Sequence, residues 1–128
     1  MNRSLSLSSH NEDYLETIAA LKKKYGWARV KDISAALHVK ASSVNSAIKL
    51  LSQNGFVEYE RYGRIELSEK GKQKARAIQK RHDLLTRFLT QVLRVSPKTA
   101  TLDACKMEHV ISIQTFEALV RFMQEHTP

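Results

Sequence analysis

The sequence predicts a mostly α-helical protein that carries one short β-hairpin. Helix breakers are rare, since the 128 residues include only two prolines and four glycines. Apolar residues recur at helical spacing along most of the chain. Residues 56–67 alone change to a strand pattern, with a turn at Arg61, Tyr62 and Gly63. The length fits one compact unit or two small lobes that share a core.

Three helices are predicted before the hairpin, in residues 8–25, 28–39 and 41–55. Capping residues begin the first helix and Gly26 ends it, whereas Gly55 ends the third. The inward-facing residues are Tyr14, Ile18, Leu21 and Tyr25 in the first helix, Val30, Ile33 and Leu37 in the second, and Val44, Ile48 and Leu51 in the third. Three helices followed by a hairpin is the order of a winged helix-turn-helix.

Further helices are predicted after the hairpin. A long helix runs from about residue 68 to 93, Pro97 begins the next one, and Ser112 begins the last. The last helix has an apolar stripe of Ile113, Phe116, Leu119, Val120 and Met123. Because this half has more apolar surface than short helices can hide, it predicts a homodimer. The predicted domains are a winged helix-turn-helix, residues 1–70, and a helical dimerisation domain, residues 71–128.

The charge of the chain favours a polyanionic partner. The formal net charge is +8 and the sequence pI is about 9.8, which favours nucleic acid over an acidic protein. No apolar run is long enough to span a bilayer and the N-terminus lacks the apolar block of a signal peptide, so a cytoplasmic location and no membrane partner are predicted. The single cysteine excludes an intrachain disulfide.

The third helix and the hairpin predict a surface that binds double-stranded DNA. A recognition helix enters the major groove, where small polar and basic side chains permit close approach to bases and phosphates. The hairpin tip has the composition of a wing laid along the DNA backbone or minor groove. The predicted DNA-binding residues are Lys31, Lys40, Ser42, Ser43, Asn45, Ser46, Lys49, Arg61, Tyr62 and Arg64. No catalytic residue and no small organic ligand are predicted.

A second set of residues has the chemistry of metal ligands. Cys105, Glu108 and His109 are spaced i, i+3 and i+4, which places them on one face of a predicted helix. Thiolate, carboxylate and imidazole are ligands that transition metals accept. Asp13 and Glu16 form an acid pair on the first helix. Taken alone, the residues leave two alternatives open, a metal site or a core cysteine with solvated acid pairs.

Nearly the whole chain resembles the diphtheria toxin repressor and manganese transport regulator family of metal-dependent bacterial repressors. The resemblance lies in the stretches E-D-Y-L-E-T-I, A-R-V-K-D-I-S-A-A-L-H-V, A-S-S-V-N-S-A-I-K-L-L, G-F-V-E-Y-E-R-Y-G-R-I-E-L-S-E-K-G, K-R-H-D-L-L-T-R-F-L and M-E-H-V-I-S. It implies the metal ligands Asp13, Glu16, His82, Cys105, Glu108 and His109. It also implies a homodimer that binds palindromic operator DNA when loaded with metal and controls metal-uptake genes.

The resemblance is to both branches of that family. Asp13, Glu16 and His82 resemble the manganese branch, which has glutamate where this chain has Cys105. A cysteine there resembles the iron branch, which has methionine in place of Asp13 and a second-site histidine in place of Thr101. Because a thiolate raises the affinity for softer ions, Fe(II) is expected as the cofactor and Mn(II) is the runner-up, with Co(II) or Zn(II) as substitutes. One or two ions per subunit are expected.

The metal is expected to act as a clasp. Asp13 and Glu16 belong to the DNA-binding lobe and Cys105, Glu108 and His109 to the dimerisation lobe, so a shared ion would fix the angle between the lobes. Metal can shift the population only by binding the DNA-competent arrangement more tightly. The alternatives are a thiol-redox-sensing winged-helix regulator without a metal, a helical di-metal enzyme, and a constitutive architectural DNA binder.

Overall fold

The computed structural model describes residues 7–126 and confirms a mostly helical protein. The helices are α1 (Ser9–Tyr25), α2 (Val30–Leu37), α3 (Ala41–Gln53), α4 (Glu69–Arg87), α5 (Pro97–Met107) and α6 (Ile113–His126), and the strands are β1 (Val57–Tyr59) and β2 (Ile65–Leu67). The chain divides into two compact units, residues 1–76 and 77–128. Within residues 7–126, no helix is both long and apolar enough to cross a membrane.

Helix α1 is fixed at both ends by its own sequence. The Ser8 side chain accepts a hydrogen bond from the Asn11 backbone N–H at 3.1 Å, which satisfies one of the donors left open at a helix start. Gly26 ends the helix with a φ of 88°, a left-handed conformation that glycine adopts without steric cost. Tyr14, Leu15 and Ile18 are buried, and burial raises the pKa of the Tyr14 hydroxyl.

Helices α2 and α3 form the predicted helix-turn-helix. Asp32 accepts a hydrogen bond from the Arg29 backbone N–H at 3.3 Å, which stabilises the start of α2. His38 ends α2 in the left-handed conformation, so the chain turns sharply into α3. The predicted inward residues Ile33, Val44, Ile48 and Leu51 are fully buried in the core of the first unit. Tyr25 was expected to face the core but is exposed. It is the last residue of α1, and the end of this helix extends past the core.

The hairpin packs on this core. Its antiparallel register pairs Val57 with Leu67 and Tyr59 with Ile65. The turn between the strands contains two residues with positive φ, Tyr62 at 62° and Gly63 at 73°. Glycine suits such a position, whereas tyrosine adopts it rarely.

The start of α4 packs closely against the end of the hairpin. Ser68 caps the helix, since its hydroxyl accepts a hydrogen bond from the Gly71 backbone N–H at 3.0 Å. A Cβ atom on Gly71 would lie 2.0 Å from the carbonyl oxygen of Phe56. Glycine is therefore required here for the close approach of two backbone segments, and not for an unusual φ.

The second unit differs from the sequence prediction at the end of α4. The helix was expected to continue to about residue 93, but α-helical geometry ends at Arg87 and residues Phe88–Val92 form a π-helical turn. The Thr90 hydroxyl donates to the Thr86 carbonyl at 2.9 Å, a back-bond that distorts helices. Leu85 and Leu89 of this region pack with Ala100 and Ala104 of α5 in the core of the second unit.

The apolar stripe of α6 is only partly buried. Met123 is buried and Phe116, Leu119 and Val120 are half-buried, whereas Ile113 is 76% exposed. Leu102 and Val110, which lie outside α6, are also exposed. The second unit therefore exposes several large apolar side chains within the described residues.

Candidate metal centre and DNA-binding surface

Three predicted metal ligands lie close together in the second unit. His82 lies on α4 and Cys105 on α5. Glu108 directly follows Met107, the last residue of α5, and caps that helix. One ligand atom of each side chain lies within 4.8 Å of the others. Imidazole nitrogen, thiolate sulfur and carboxylate oxygen are donors that first-row transition metals accept, so the donor set fits a divalent ion of that row.

Glu108 is the most deeply buried of the three, with 1% of its surface exposed. Its Oε1 lies 2.8 Å from Nδ1 of His82. The Nε of Arg81 donates to the Glu108 backbone carbonyl at 2.9 Å. Burial of a carboxylate is costly unless it is paired or hydrogen-bonded. Two consecutive residues of α4 therefore hold both the backbone and the side chain of Glu108 in place.

Cys105 occupies the exposed side of the group. Its Sγ lies 3.8 Å from Nδ1 of His82, and it forms no disulfide. An exposed thiol beside an imidazole is accessible to an ion that arrives from solvent. The sequence alternative in which this cysteine is an ordinary core residue is wrong, because its side chain faces solvent.

His109 lies in the turn that follows α5, two residues after Met107, the last residue of that helix. Glu108, between them, keeps a right-handed helical conformation, with a φ of −60° and a ψ of −24°. Nε2 of His109 lies 3.5 Å from Oε2 of Glu108. Asp13 and Glu16 lie one turn apart on α1 of the first unit, and both are half-buried. The ligand roles of these three residues stay predictions.

The predicted DNA-binding face of α3 is exposed along its whole length. The helix buries one side in the core of the first unit and leaves the opposite side open. The exposed residues on and before α3 are Lys40, Ser42, Ser43, Asn45, Ser46 and Lys49. Lys31 of α2 and Arg61 and Tyr62 at the hairpin tip are exposed as well. Their DNA-binding role stays a prediction, but each is accessible to a duplex.

Arg64 differs from the other predicted DNA-binding residues. It is half-buried, and its guanidinium carbon lies 5.0 Å from the centre of the Trp27 ring. Arg29 contacts the same ring at 5.5 Å. Sequence reasoning missed Trp27 and Arg29, although the single tryptophan of the chain stands two residues before an arginine at a helix start.

Known proteins match both halves of the chain. Residues 6–65 match the family described as the iron dependent repressor, N-terminal DNA binding domain. Residues 68–127 match the iron dependent repressor, metal binding and dimerisation domain. These families are transcriptional regulators and not enzymes. The matches do not favour a metal-free thiol sensor or a di-metal enzyme.

Two relatives match almost the full chain. An uncharacterized HTH-type transcriptional regulator of Methanocaldococcus jannaschii is 36% identical over 120 residues, which cover 93% of this chain and 96% of the relative. The transcriptional regulator MntR of Salmonella typhimurium is 36% identical over 115 residues, 90% of this chain and 73% of MntR.

A solved structure supports the same assignment. The manganese regulator SloR is 26% identical and superposes with a TM-score of 0.77, covering 89% of this chain and 53% of SloR. This chain therefore spans about half the length of that protein. From its helix-turn-helix, its ligand cluster and these matches, we conclude that the chain belongs to the diphtheria toxin repressor and manganese transport regulator family of metal-dependent transcriptional repressors.

Proposed function

We propose that this repressor binds a palindromic operator as a homodimer when loaded with Fe(II), and that it thereby represses metal-uptake genes. The observation that carries the proposal is the cluster of His82, Cys105 and Glu108 in the unit that follows the helix-turn-helix. A regulator with this donor set can respond to the concentration of a divalent ion.

His82, Cys105 and Glu108 would hold the ion. A bound divalent cation supplies positive charge that compensates the thiolate and the buried carboxylate. Since only the thiolate is a metal ligand, Cys105 would give up its proton when an ion binds. Glu108 needs little rearrangement, because its backbone carbonyl already accepts from Arg81 and its side chain already contacts His82. The resemblance also assigns Asp13, Glu16 and His109 to metal binding.

The choice of Fe(II) over Mn(II) depends on Cys105. Divalent affinities rise from Mn(II) to Fe(II) and Co(II) at most sites, and a thiolate ligand favours the softer ions further. SloR is a manganese regulator, so Mn(II) is the runner-up. Co(II) and Zn(II) are expected to substitute in vitro.

The DNA-binding step would use the exposed face of α3. In a twofold dimer, two copies of α3 can enter successive major grooves, and a palindromic operator matches that symmetry. The serine and asparagine side chains of α3 can approach base edges, and Lys40 and Lys49 can contact phosphates. Arg61 and Tyr62 would reach the backbone beside the groove.

The proposal is tested by metal-dependent DNA binding. Reduced protein is stripped with chelator and resupplied separately with Fe(II), Mn(II), Co(II) or Zn(II), and its affinity is measured for a duplex selected from a random library. Wild type is compared with Cys105→Glu and with Lys106→Glu, a control that adds a carboxylate at the neighbouring exposed position.

We expect binding only with metal, strongest with Fe(II), and a shift of preference toward Mn(II) in Cys105→Glu alone. Activation of wild type by Mn(II) without activation by Fe(II) would reject the choice of iron. Binding that survives chelation unchanged would reject the metal dependence of this chain.

A further inference from the structure

The wing, residues 60–64 between the two strands, is attached to the segment that precedes α2. The Ile65 backbone N–H donates to the Ala28 carbonyl at 2.8 Å, and Arg29 and Arg64 form an isolated antiparallel bridge. The two-stranded hairpin thus gains a short third segment on one side. The tip of the wing is closed by its own backbone, since the Glu60 N–H donates to the Arg64 carbonyl at 2.7 Å and the Arg64 N–H to the Arg61 carbonyl at 3.3 Å, and a side chain from outside the hairpin adds a further contact.

Arg29 supplies such a contact to the tip. Its Nε donates to the Tyr62 backbone carbonyl at 3.3 Å. Tyr62 is the residue with a φ of 62°, and its side chain is 80% exposed. A tyrosine rarely adopts that conformation, so neighbouring contacts must maintain it. The Arg29 side chain makes one such contact from outside the hairpin.

The Trp27 ring contacts the guanidinium groups of two arginines. The guanidinium carbons of Arg29 and Arg64 lie 5.5 Å and 5.0 Å from the centre of its ring. Arg64 Nε is buried and makes no hydrogen bond to any residue in the part of the chain that the structure describes. The contact with the indole therefore holds the Arg64 guanidinium group against the protein.

We propose that Trp27 and Arg29 are positioning residues for the wing. They set where Arg61 and Tyr62 meet the DNA backbone, without touching the DNA themselves, and they also hold Arg64 against the protein. The inference rests on the proposed DNA-binding function and adds to it the contacts that fix the position of the wing. Arginine is required at position 29, because lysine keeps the charge but has neither a planar group to stack nor an Nε donor.

Arg29 could instead contact a phosphate directly, and the two roles predict different results. A phosphate contact depends on charge, so Arg29→Lys would retain most of the affinity. A positioning role depends on the geometry of the guanidinium group, so Arg29→Lys would lose DNA affinity. A positioning residue also has no effect once the wing side chains that it places are removed.

The first experiment is a double-mutant cycle on DNA binding by metal-loaded protein. Arg29→Lys is measured in the wild-type background and in the Arg61→Ala/Tyr62→Ala background, with Arg76→Lys, the same substitution at an exposed position of α4, as the matched control. We expect Arg29→Lys to weaken binding about tenfold in wild type, and less than about twofold without the wing side chains. The salt dependence of binding should also fall, because a displaced Arg61 no longer neutralises its phosphate, whereas a direct contact by residue 29 would keep its charge and the salt dependence.

The second experiment needs no DNA. Amide hydrogen exchange is compared between wild type and Arg29→Lys at residues 60–64 of the wing and at the core positions of α3. We expect the wing amides to exchange several-fold faster in the variant, with core exchange and the urea midpoint unchanged. Trp27→Phe should loosen the wing in the same way, because phenylalanine binds guanidinium groups more weakly than indole.

The outcomes separate this inference from the proposed function. Equal losses in both backgrounds would show that Arg29 acts on DNA binding independently of the wing side chains and would overturn the positioning role, as would unchanged affinity with unchanged wing exchange. If metal-loaded wild type fails to bind the selected duplex, the proposed function is wrong, and the exchange experiment still decides whether Arg29 holds the wing.

Discussion

At the scale of single residues, Glu108 joins the packing of the second unit to its metal chemistry. Its carboxylate is buried, contacts His82, and lies on a backbone held by Arg81. A buried ionisable group of this kind is a candidate for function, because burying its charge destabilises the folded protein unless a partner compensates that charge. Here the compensating partner can be an ion.

The first prediction concerns Glu108→Gln. The substitution keeps the shape of the side chain and removes the charge, so metal affinity should fall at least about 100-fold, more than the usual cost of losing an outer-shell partner. Anaerobic competition with a chromophoric chelator measures this. Glu125→Gln on the exposed end of α6 is the control and should bind metal as wild type does. An affinity for metal that stays within a few-fold of wild type would exclude Glu108 as a ligand.

At the scale of elements, the close approach between α4 and the hairpin gives the second prediction. Because a Cβ on Gly71 would meet the Phe56 carbonyl at 2.0 Å, Gly71→Ala must displace backbone. Overpacking of this kind costs about 1–3 kcal/mol of unfolding free energy. Urea denaturation measures the loss, and Lys72→Ala on the exposed face of α4 is the control. If Gly71→Ala were as stable as wild type, the two segments would be more adaptable than their spacing indicates.

The elements themselves could be predicted largely from sequence. Capping residues, apolar spacing and the change to a strand pattern placed α1, α2, α3 and the hairpin close to their observed bounds. The same signals placed Pro97 at the start of α5. These are local effects, in which a side chain satisfies its neighbour's backbone or marks a buried face, and they are therefore visible in a single sequence.

The ends of α4 and α5 could not be predicted in this way. The π-helical turn at Phe88–Val92 and the end of α5 at Met107 interrupt no apolar pattern, so periodicity continues through both. Trp27 and Arg29 were missed for a related reason, since their partners lie more than 30 residues away in the hairpin.

At the scale of the whole molecule, the net charge of +8 predicts a strong salt dependence of DNA binding. The logarithm of the binding constant should fall linearly with the logarithm of the salt concentration. Lys49→Ala on α3 should reduce the magnitude of that slope by about one per protomer, because one phosphate contact is lost. Lys98→Ala on α5 removes the same charge and should leave the slope unchanged. Equal slopes for wild type and Lys49→Ala would place Lys49 away from phosphate.

The exposed apolar side chains of the second unit give the last prediction. A dimer that covers Ile113 should be weakened by Ile113→Glu, which buries an unpaired charge, and its dissociation constant should rise at least about tenfold. Sedimentation equilibrium over a range of concentrations measures it. Gln114→Glu adds the same charge at the next exposed residue and serves as the control. A dimer unaffected by Ile113→Glu would be formed by another surface.

Cys105 has one more consequence, in evolutionary terms. Its side chain faces solvent, whereas the core of the second unit is formed by Leu85, Leu89, Ala100 and Ala104. A lineage can therefore exchange the residue at position 105 without repacking that core. Duplicated genes could diverge in the ion to which they respond by this one substitution, while descendants keep the same fold and the same DNA-binding surface.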